Sequence, residues 1–172
     1  MPIQQSKRPI AAARMAAIAR DLLSATPLCA IATVAPGSRA HVNTAYFAPS
    51  PEFDLVWLSE SQARHSRNIR ANKTVAIAVY DSNQSWGEPD RGVQLFGAAR
   101  EVEAAAVQDS AALYEERFPD YRQADVGAYR FYRFRPRGLK LFDERALGTG
   151  VFVTAKVARR GRLTWERTEV YR

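Results

Sequence analysis

A chain of 172 residues with 47% hydrophobic content falls within the range of one domain that builds its own core, so a single domain over residues 1–172 is expected. The formal net charge of +7 and a pI near 9.9 point to an anionic partner or simply a basic surface, and carry no information about fold. A single cysteine excludes a disulfide framework, no apolar run approaches the roughly 18 residues of a membrane span, and no secretion signal is legible at the N-terminus, so the chain reads as soluble and cytoplasmic with no membrane partner.

Residues 1 to 7 are polar and read as disordered. Pro9 suits a first helical position, and Ala11, Met15, Ile18 and Leu22 recur at helical spacing, which predicts an amphipathic helix ending before Pro27. Leu28 to Val34 reads as a buried strand, and Ala35-Pro36-Gly37-Ser38 turns it into a second strand over Arg39 to Phe47. Alternation puts His41, Asn43, Ala45 and Phe47 on one face of that strand and Val42, Thr44 and Tyr46 on the other. Pro49 and Pro51 break the pairing before a third strand, Leu55 to Ser59.

A short polar stretch then separates this strand from a fourth, Val75 to Tyr80. Ser61 is placed as an N-cap and Asn72 as a terminator, predicting a helix of about ten residues, too short to stand alone. Its only large apolar side chain is Ile69, so packing offers it little. Arg64 and His65 occupy its first turn, where the helix dipole disfavours cations, and Arg64 and Asn68 share a face at i, i+4. A bound anion reverses that penalty, because N–H groups at a helix start with Arg, His, Ser and Asn side chains around them make a phosphate pocket. A solvated polar helix with incidental charges has the same composition.

Asp81 to Arg91 is a polar loop containing Trp86. Gly92 to Val102 reads as a long strand in which Gly97 marks a bulge or a close approach of another backbone. Val107, Ala111, Tyr114 and Phe118 predict a second amphipathic helix. Tyr129 to Arg135 and Leu139 to Asp143 are predicted as two strands around a Pro136-Arg137-Gly138 turn. Gly150 to Val157 and Leu163 to Val170 close the chain around a basic turn at Arg159-Arg160-Gly161. About eight strands joined mostly by hairpin-length turns describe a mainly β fold with flanking helices, a small antiparallel barrel rather than an alternating βαβ sheet.

Several chemistries are absent. Neither a dinucleotide fingerprint nor a P-loop is present, two histidines and one cysteine do not supply a metal site, and Cys29 among Leu28, Ala30 and Ile31 reads as a buried thiol. Aromatics and arginines interleave over Tyr129 to Arg135, which suits single-stranded nucleic acid, yet a barrel strand with packed aromatics and snorkelling arginines has the same composition. The latter reading is adopted, with no nucleic-acid partner.

The order of hairpin, third strand, Ser59-x4-Arg64-His65-x2-Asn68-Ile69-x2-Asn72, the strand Val75-Ala76-Ile77-Ala78-Val79, and Gly92-Val93-Gln94-Leu95-Phe96-Gly97-Ala98-Ala99 resembles the pyridoxamine 5′-phosphate oxidase-like family of FMN-binding split barrels over roughly residues 10 to 143. The resemblance implies a split β-barrel, an FMN-dependent oxidoreductase acting on a small-molecule substrate, and a homodimer with the flavin at the subunit interface. It further implies cofactor contacts from Asn43, Thr44 and Ala45 on the second strand, Ser59 on the third, Arg64, His65 and Asn68 on the short helix, and Gln94. A non-catalytic relative binding flavin, deazaflavin or haem, the last through His41 or His65, is the alternative. Members that oxidise pyridoxamine phosphate carry an Arg-x-His-Asp-Arg type motif near the C-terminus where this chain has Phe142-Asp143-Glu144-Arg145-Ala146, which argues against vitamin-B6 chemistry. Catalytic residues are not legible; Trp86, Arg145, Trp165 and Arg167 are candidates on the substrate side only by position, and surface or packing roles are the commoner meaning of such residues.

Overall fold

Alternating apolar side chains between Leu28 and Asp143 line the inside of a barrel, and a second apolar set around Val56 and Phe131 faces outward under a helix. The computed structural model describes residues 3–6, 9–121 and 127–171. In chain order the elements are β1 (Ile3–Ser6), α1 (Ala12–Ala25), β2 (Leu28–Ala35), β3 (Arg39–Tyr46), β4 (Ala48–Pro49), β5 (Leu55–Glu60), α2 (Arg64–Ala71), β6 (Thr74–Tyr80), β7 (Arg91–Glu101), α3 (Val107–Arg117), β8 (Tyr129–Asp143), α4 (Glu144–Leu147), β9 (Val151–Val157) and β10 (Leu163–Tyr171). All pairings are antiparallel, in the order β1-β10-β9-β8-β7-β6-β2-β3, with β5 joined to β8 and to the short β4. Among the described residues β3 pairs only with β2, and β5 only with β4 and β8, so the barrel is left unzipped between β3 and β5. This is the antiparallel barrel with flanking helices that the sequence pattern suggested, split as the family resemblance implied.

The predicted turn at Pro136-Arg137-Gly138 does not exist. β8 is one strand of 15 residues, and these three residues form a bulge: Phe96 pairs with Gly138 and Gly97 with Pro136, leaving Arg137 without a partner across the ladder. Proline lacks an N–H, so it reads as a chain reversal in sequence, but a bulge also tolerates it. The bulge is where β8 changes neighbours, from β5 over Tyr129 to Phe134 to β9 over Gly138 to Phe142. Gly97 sits opposite, and a Cβ there would collide with the Arg135 carbonyl oxygen, so the close approach read from the sequence is what the residue permits.

Four other boundaries differ from expectation. Residues 1 to 7 are not all unstructured: Ile3–Ser6 pairs with Thr168 to Tyr171 as β1, because the outer edge of β10 offers an unpaired ladder, while residues 1, 2 and 7 lie outside the described residues. α1 starts at Ala12 after an uncapped Ala11, placing Pro9 before the helix rather than in its first turn. Ala48 and Pro49 do not break the pairing but form β4 against Val56 and Leu55. The four-residue α4 follows Asp143, whose buried carboxylate accepts from the Arg145 and Ala146 N–H groups and from Arg91.

Inside the barrel Ile31, Trp57, Ile77, Leu95, Tyr132 and Leu141 meet, with Met15, Ile18, Leu22 and Leu23 of α1 packed over one end. A second cluster of Val56, Ala111, Tyr114 and Phe131 holds α3 against the outer side of β5 and β8. One sheet face carries no such cover. Val42, Ala32, Ala76 and Phe96 are register neighbours across β3, β2, β6 and β7, with Val42 63% and Phe96 47% exposed. No helix among the described residues is long and apolar enough to cross a membrane.

Candidate functional site

The gap between β3 and β5 opens into a cleft of about 550 Å³. β3 lends it Asn43, Thr44, Ala45 and Tyr46, β5 lends Leu58 and Ser59, α2 lends His65, and the α3 side closes it with Tyr114, Phe118, Tyr121 and Tyr129. One end is polar and the other aromatic.

The polar end depends on α2. Ala63, not Ser61, occupies the N-cap position, and no side chain caps the helix. A run so poor in apolar residues is held instead by buried hydrogen bonds: the Ser66 hydroxyl donates to the Glu60 carbonyl at 2.7 Å, and the Asn68 amide donates to Thr33 Oγ1 on β2 at 3.0 Å. Ser66, Asn68 and Ile69 are all buried, so a face with one large apolar side chain is the one the barrel accepts. Arg67 and Arg70 fold back to donate to the carbonyls of Gln62 and Ser61 at 2.8 and 2.7 Å. Arg64 is exposed at the helix start and makes no hydrogen bond or ion pair among the described residues. Arg64 and Asn68 stand one turn apart, as expected, but the Asn68 amide is engaged by Thr33 while Arg64 reaches solvent.

His65 is half-buried, its Nε2 hydrogen-bonded to Ser59 Oγ. Burial, and secondarily the nearby His41, push its pKa below the ordinary imidazole value, which favours the neutral ring. His41 Nδ1 lies 3.4 Å from the same Thr33 hydroxyl that Asn68 engages. Asn43 donates to the Thr44 carbonyl at 3.3 Å, but its buried Oδ1 has no partner. A buried amide oxygen without a donor loses the water it had in the unfolded chain, so a ligand carrying hydroxyl groups fits beside it.

Of the eight residues expected to hold a cofactor, Asn43, Thr44, Ala45, Ser59 and His65 line this one cleft. Arg64 precedes the lining residue His65 but does not itself line the cleft, Asn68 is buried against Thr33 as a positioning residue for α2, and Gln94 is elsewhere, exposed on the open sheet face opposite Ala78 and Lys140. The sequence does not mark the aromatic wall as part of a site. Tyr114 and Phe118 carried only the periodicity of a packed helix, and nothing in sequence brings them beside Tyr46, although the Tyr46 and Phe118 rings meet edge to face at 5.8 Å. Tyr114, tilted on Phe118 at 4.7 Å, has its pKa pushed up to about 12 chiefly by burial, so its hydroxyl stays protonated.

The remaining candidates lie apart. Trp86 is fully exposed in its loop, Trp165 Nε1 donates to Thr168 at 3.0 Å, Arg167 pairs with Glu169 at 3.4 Å, and Arg145 is exposed beside α4. In the aromatic–arginine stretch, Arg133 donates to Ser110 at 3.0 Å, Arg135 pairs with Asp54 at 3.4 Å, and Phe131, Tyr132 and Phe134 are buried, the pattern of a packed barrel strand. Cys29 donates to the Ala45 carbonyl, and burial raises its pKa to about 12, which makes it an inert thiol. No group of three or more metal-ligating side chains exists among the described residues.

Residues 15–142 match the family model described as pyridoxamine 5′-phosphate oxidase. Among curated proteins none matches the sequence. Solved structures share the fold: the protein Atu2129 of Agrobacterium tumefaciens, of unknown function, is 18% identical with a TM-score of 0.65 over 77% of this chain, which spans only 58% of that protein. HutZ, a heme storage protein from Vibrio cholerae, is 21% identical with a TM-score of 0.63 over 72% of this chain and 91% of its own. An F420 reductase is 24% identical with a TM-score of 0.54 over 70% of this chain and 94% of its own. At these identities the likeness shows the fold alone.

Proposed function

The chain belongs to the pyridoxamine 5′-phosphate oxidase family, and from that premise we propose that it is an FMN-dependent oxidoreductase acting as a homodimer on a small-molecule substrate. The observation that carries this reading is the two-ended cleft at the barrel's split: hydroxyl, amide and imidazole groups at one end, including an unpaired buried Asn43 oxygen, and an aromatic wall at the other. Its volume lies in the range of small-molecule and cofactor sites.

Asn43, Thr44, Ser59 and His65 would hold the ribityl and phosphate groups, and Tyr46, Tyr114 and Phe118 would flank the ring system. FMN, when bound, supplies the redox chemistry, so the protein needs no triad of its own. What the chain contributes is binding and orientation. The Ser59–His65 hydrogen bond fixes the imidazole at the cleft wall, and the neutral ring presents a polar group without a second cation. Arg64, whose guanidinium has no protein partner, supplies the charge that a phosphate requires, and the dipole of α2 adds to it. Asn68, tied to Thr33, keeps the helix start in place.

The dimer reading rests on the uncovered row Val42-Ala32-Ala76-Phe96, an apolar face for which a second copy is a suitable cover. Gln94 stands on that same face, so any role at the cofactor belongs to the neighbouring subunit's cleft. Sedimentation should show a dimer at micromolar concentration, and a monomer alone would overturn this part. Pyridoxamine phosphate is not the proposed substrate: Asp143, in the segment that departs from the oxidase motif, is occupied by Arg91 and the start of α4.

The cofactor assignment is tested by titrating apo protein with FMN and with riboflavin. Arg64→Ala should weaken FMN by about tenfold to a hundredfold, the loss of one charge-assisted hydrogen bond of roughly 1.5–3 kcal/mol, and leave riboflavin unchanged. Arg64→Lys should recover part, because a point charge lacks the guanidinium fork. Equal weakening of both ligands, or of neither, removes the phosphate assignment. The visible spectrum of freshly purified protein, with flavin bands rather than a Soret band, is the expected companion result.

A further inference from the structure

Beside α3, and lined by none of the cleft's residues, a second cavity of about 450 Å³ lies between the C-terminal turns of α1 and α3 over the β4 segment. Its walls are largely apolar, from Leu23, Ala48, Pro49, Pro51 and Leu113, and its charges are Arg20, Arg117 and Glu116. We infer that this cavity binds a small amphipathic monocarboxylate, its carboxylate against the Arg117 guanidinium and its apolar body along Leu23, Pro49 and Leu113.

Arg117 is the reason. It is half-buried, lies 4.5 Å over the Phe47 ring and 5.9 Å from the Phe118 ring, and takes part in no ion pair among the described residues. The ionisable side chains whose charge would act on it most, Cys29 and Tyr114, are both held protonated by burial, so neither balances the charge. Two N–H groups donate to the Leu23 and Thr26 carbonyls at 3.0 and 2.6 Å, which caps the end of α1 and leaves the rest of the guanidinium fork available. Carbonyl dipoles at a helix end compensate only part of a desolvated cation, and a carboxylate compensates it fully. Arg20 strengthens the preference for an anion: it makes only a long 3.4 Å contact with the Pro51 carbonyl, lies 5.2 Å from the Phe53 ring, and pairs with no acid. Glu116 is exposed and pairs with neither arginine. Two arginines against one glutamate leave a single positive charge, which suits a monoanion better than a phosphate dianion, and the proline and leucine walls suit a hydrocarbon body.

The test is calorimetric titration of the full chain with hexanoate, octanoate and decanoate, with octan-1-ol as the uncharged counterpart. Octanoate is expected to saturate at one per chain, affinity rising by up to about fourfold per methylene added, and octanol binding more weakly. Arg117→Gln should weaken octanoate by about tenfold or more. Because Arg117 also caps α1, that variant is paired with Leu113→Trp, which fills the cavity from a half-buried helix position and should abolish binding while thermal unfolding stays cooperative. Absence of saturable octanoate binding at millimolar concentration, equal binding of octanol, or undiminished binding by Leu113→Trp overturns the inference. The outcome does not depend on the flavin reading, since the cleft at the split shares none of these side chains.

Discussion

The two helices that flank the cleft differ in how much of their hold comes from packing and how much from hydrogen bonds. α3 rests mainly on packing of Tyr114, Ala111 and Phe118 on Val56 and Phe131, with hydrogen bonds from Arg133 to Ser110 and from Arg117 to the end of α1 beside it, whereas α2 is fixed by directed hydrogen bonds from Ser66 and Asn68, with Ile69 as its single buried apolar anchor. Packing tolerates sliding; a buried hydrogen bond does not, because a misaligned partner leaves an unsatisfied polar group. The helix that presents the phosphate-side groups is the one with the stricter geometry, and the helix that presents aromatic surface is the one held by its own aromatic contacts.

This contrast is open to direct attack. The largest effect should come from Tyr114→Ala, which removes the centre of the aromatic cluster on α3 and is expected to cost about 3 kcal/mol of stability in urea unfolding, in line with other large buried side chains truncated to alanine. A loss under about 1 kcal/mol would mean that α3 is not held by packing. Next, Asn68→Ala leaves Thr33 Oγ1 short of a buried donor and should cost roughly 1–3 kcal/mol; Asn68→Leu, similar in size but unable to donate, should be no better if direction rather than volume holds α2.

A smaller effect, confined to a pH window, is expected from His65. Its folded-state pKa is depressed by burial and by His41, so the unfolded chain takes up a proton first as pH falls. The stability contribution is therefore present above the ordinary histidine value and is lost as pH falls from there through the folded-state pKa. Unfolding measured from about pH 8 down to about pH 5 should show this decline in the wild type and a shallower one in His65→Gln; parallel curves would mean the ring is not desolvated. The smallest effect on stability is expected from Arg64→Ala, no more than about 0.5 kcal/mol, since the side chain is exposed and unpartnered. A larger loss would give Arg64 a structural task that its position does not suggest.

Much of the barrel was legible because it rests on short-range pattern. The alternation in Leu28 to Phe47, the periodicities of α1 and α3 and the glycine at position 97 each report a local constraint that survives in any tertiary context, and five of the expected cofactor residues meet in one cleft. What misled was also local. Proline at position 136 suggested a turn, and only the pairing of both β8 halves with β7 shows a bulge in a continuous strand. Ser61 had the chemistry of a cap, yet the chain turns into α2 two residues later.

The sequence by itself determined which residues prefer strand and helix, that the chain builds one barrel, and that α2 carries basic and amide side chains without an apolar stripe. Tertiary structure alone decided that the Asn68 amide meets Thr33 on β2, that Gln94 stands on a different face from the cleft, and that Tyr46, Tyr114 and Phe118 form one wall. The physical reason is separation along the chain: strand and helix preferences are settled by neighbours within a few residues, while the cleft lies where β3 and β5 do not pair and its walls come from segments up to about 85 residues apart, whose placement depends on the register of the strands between them.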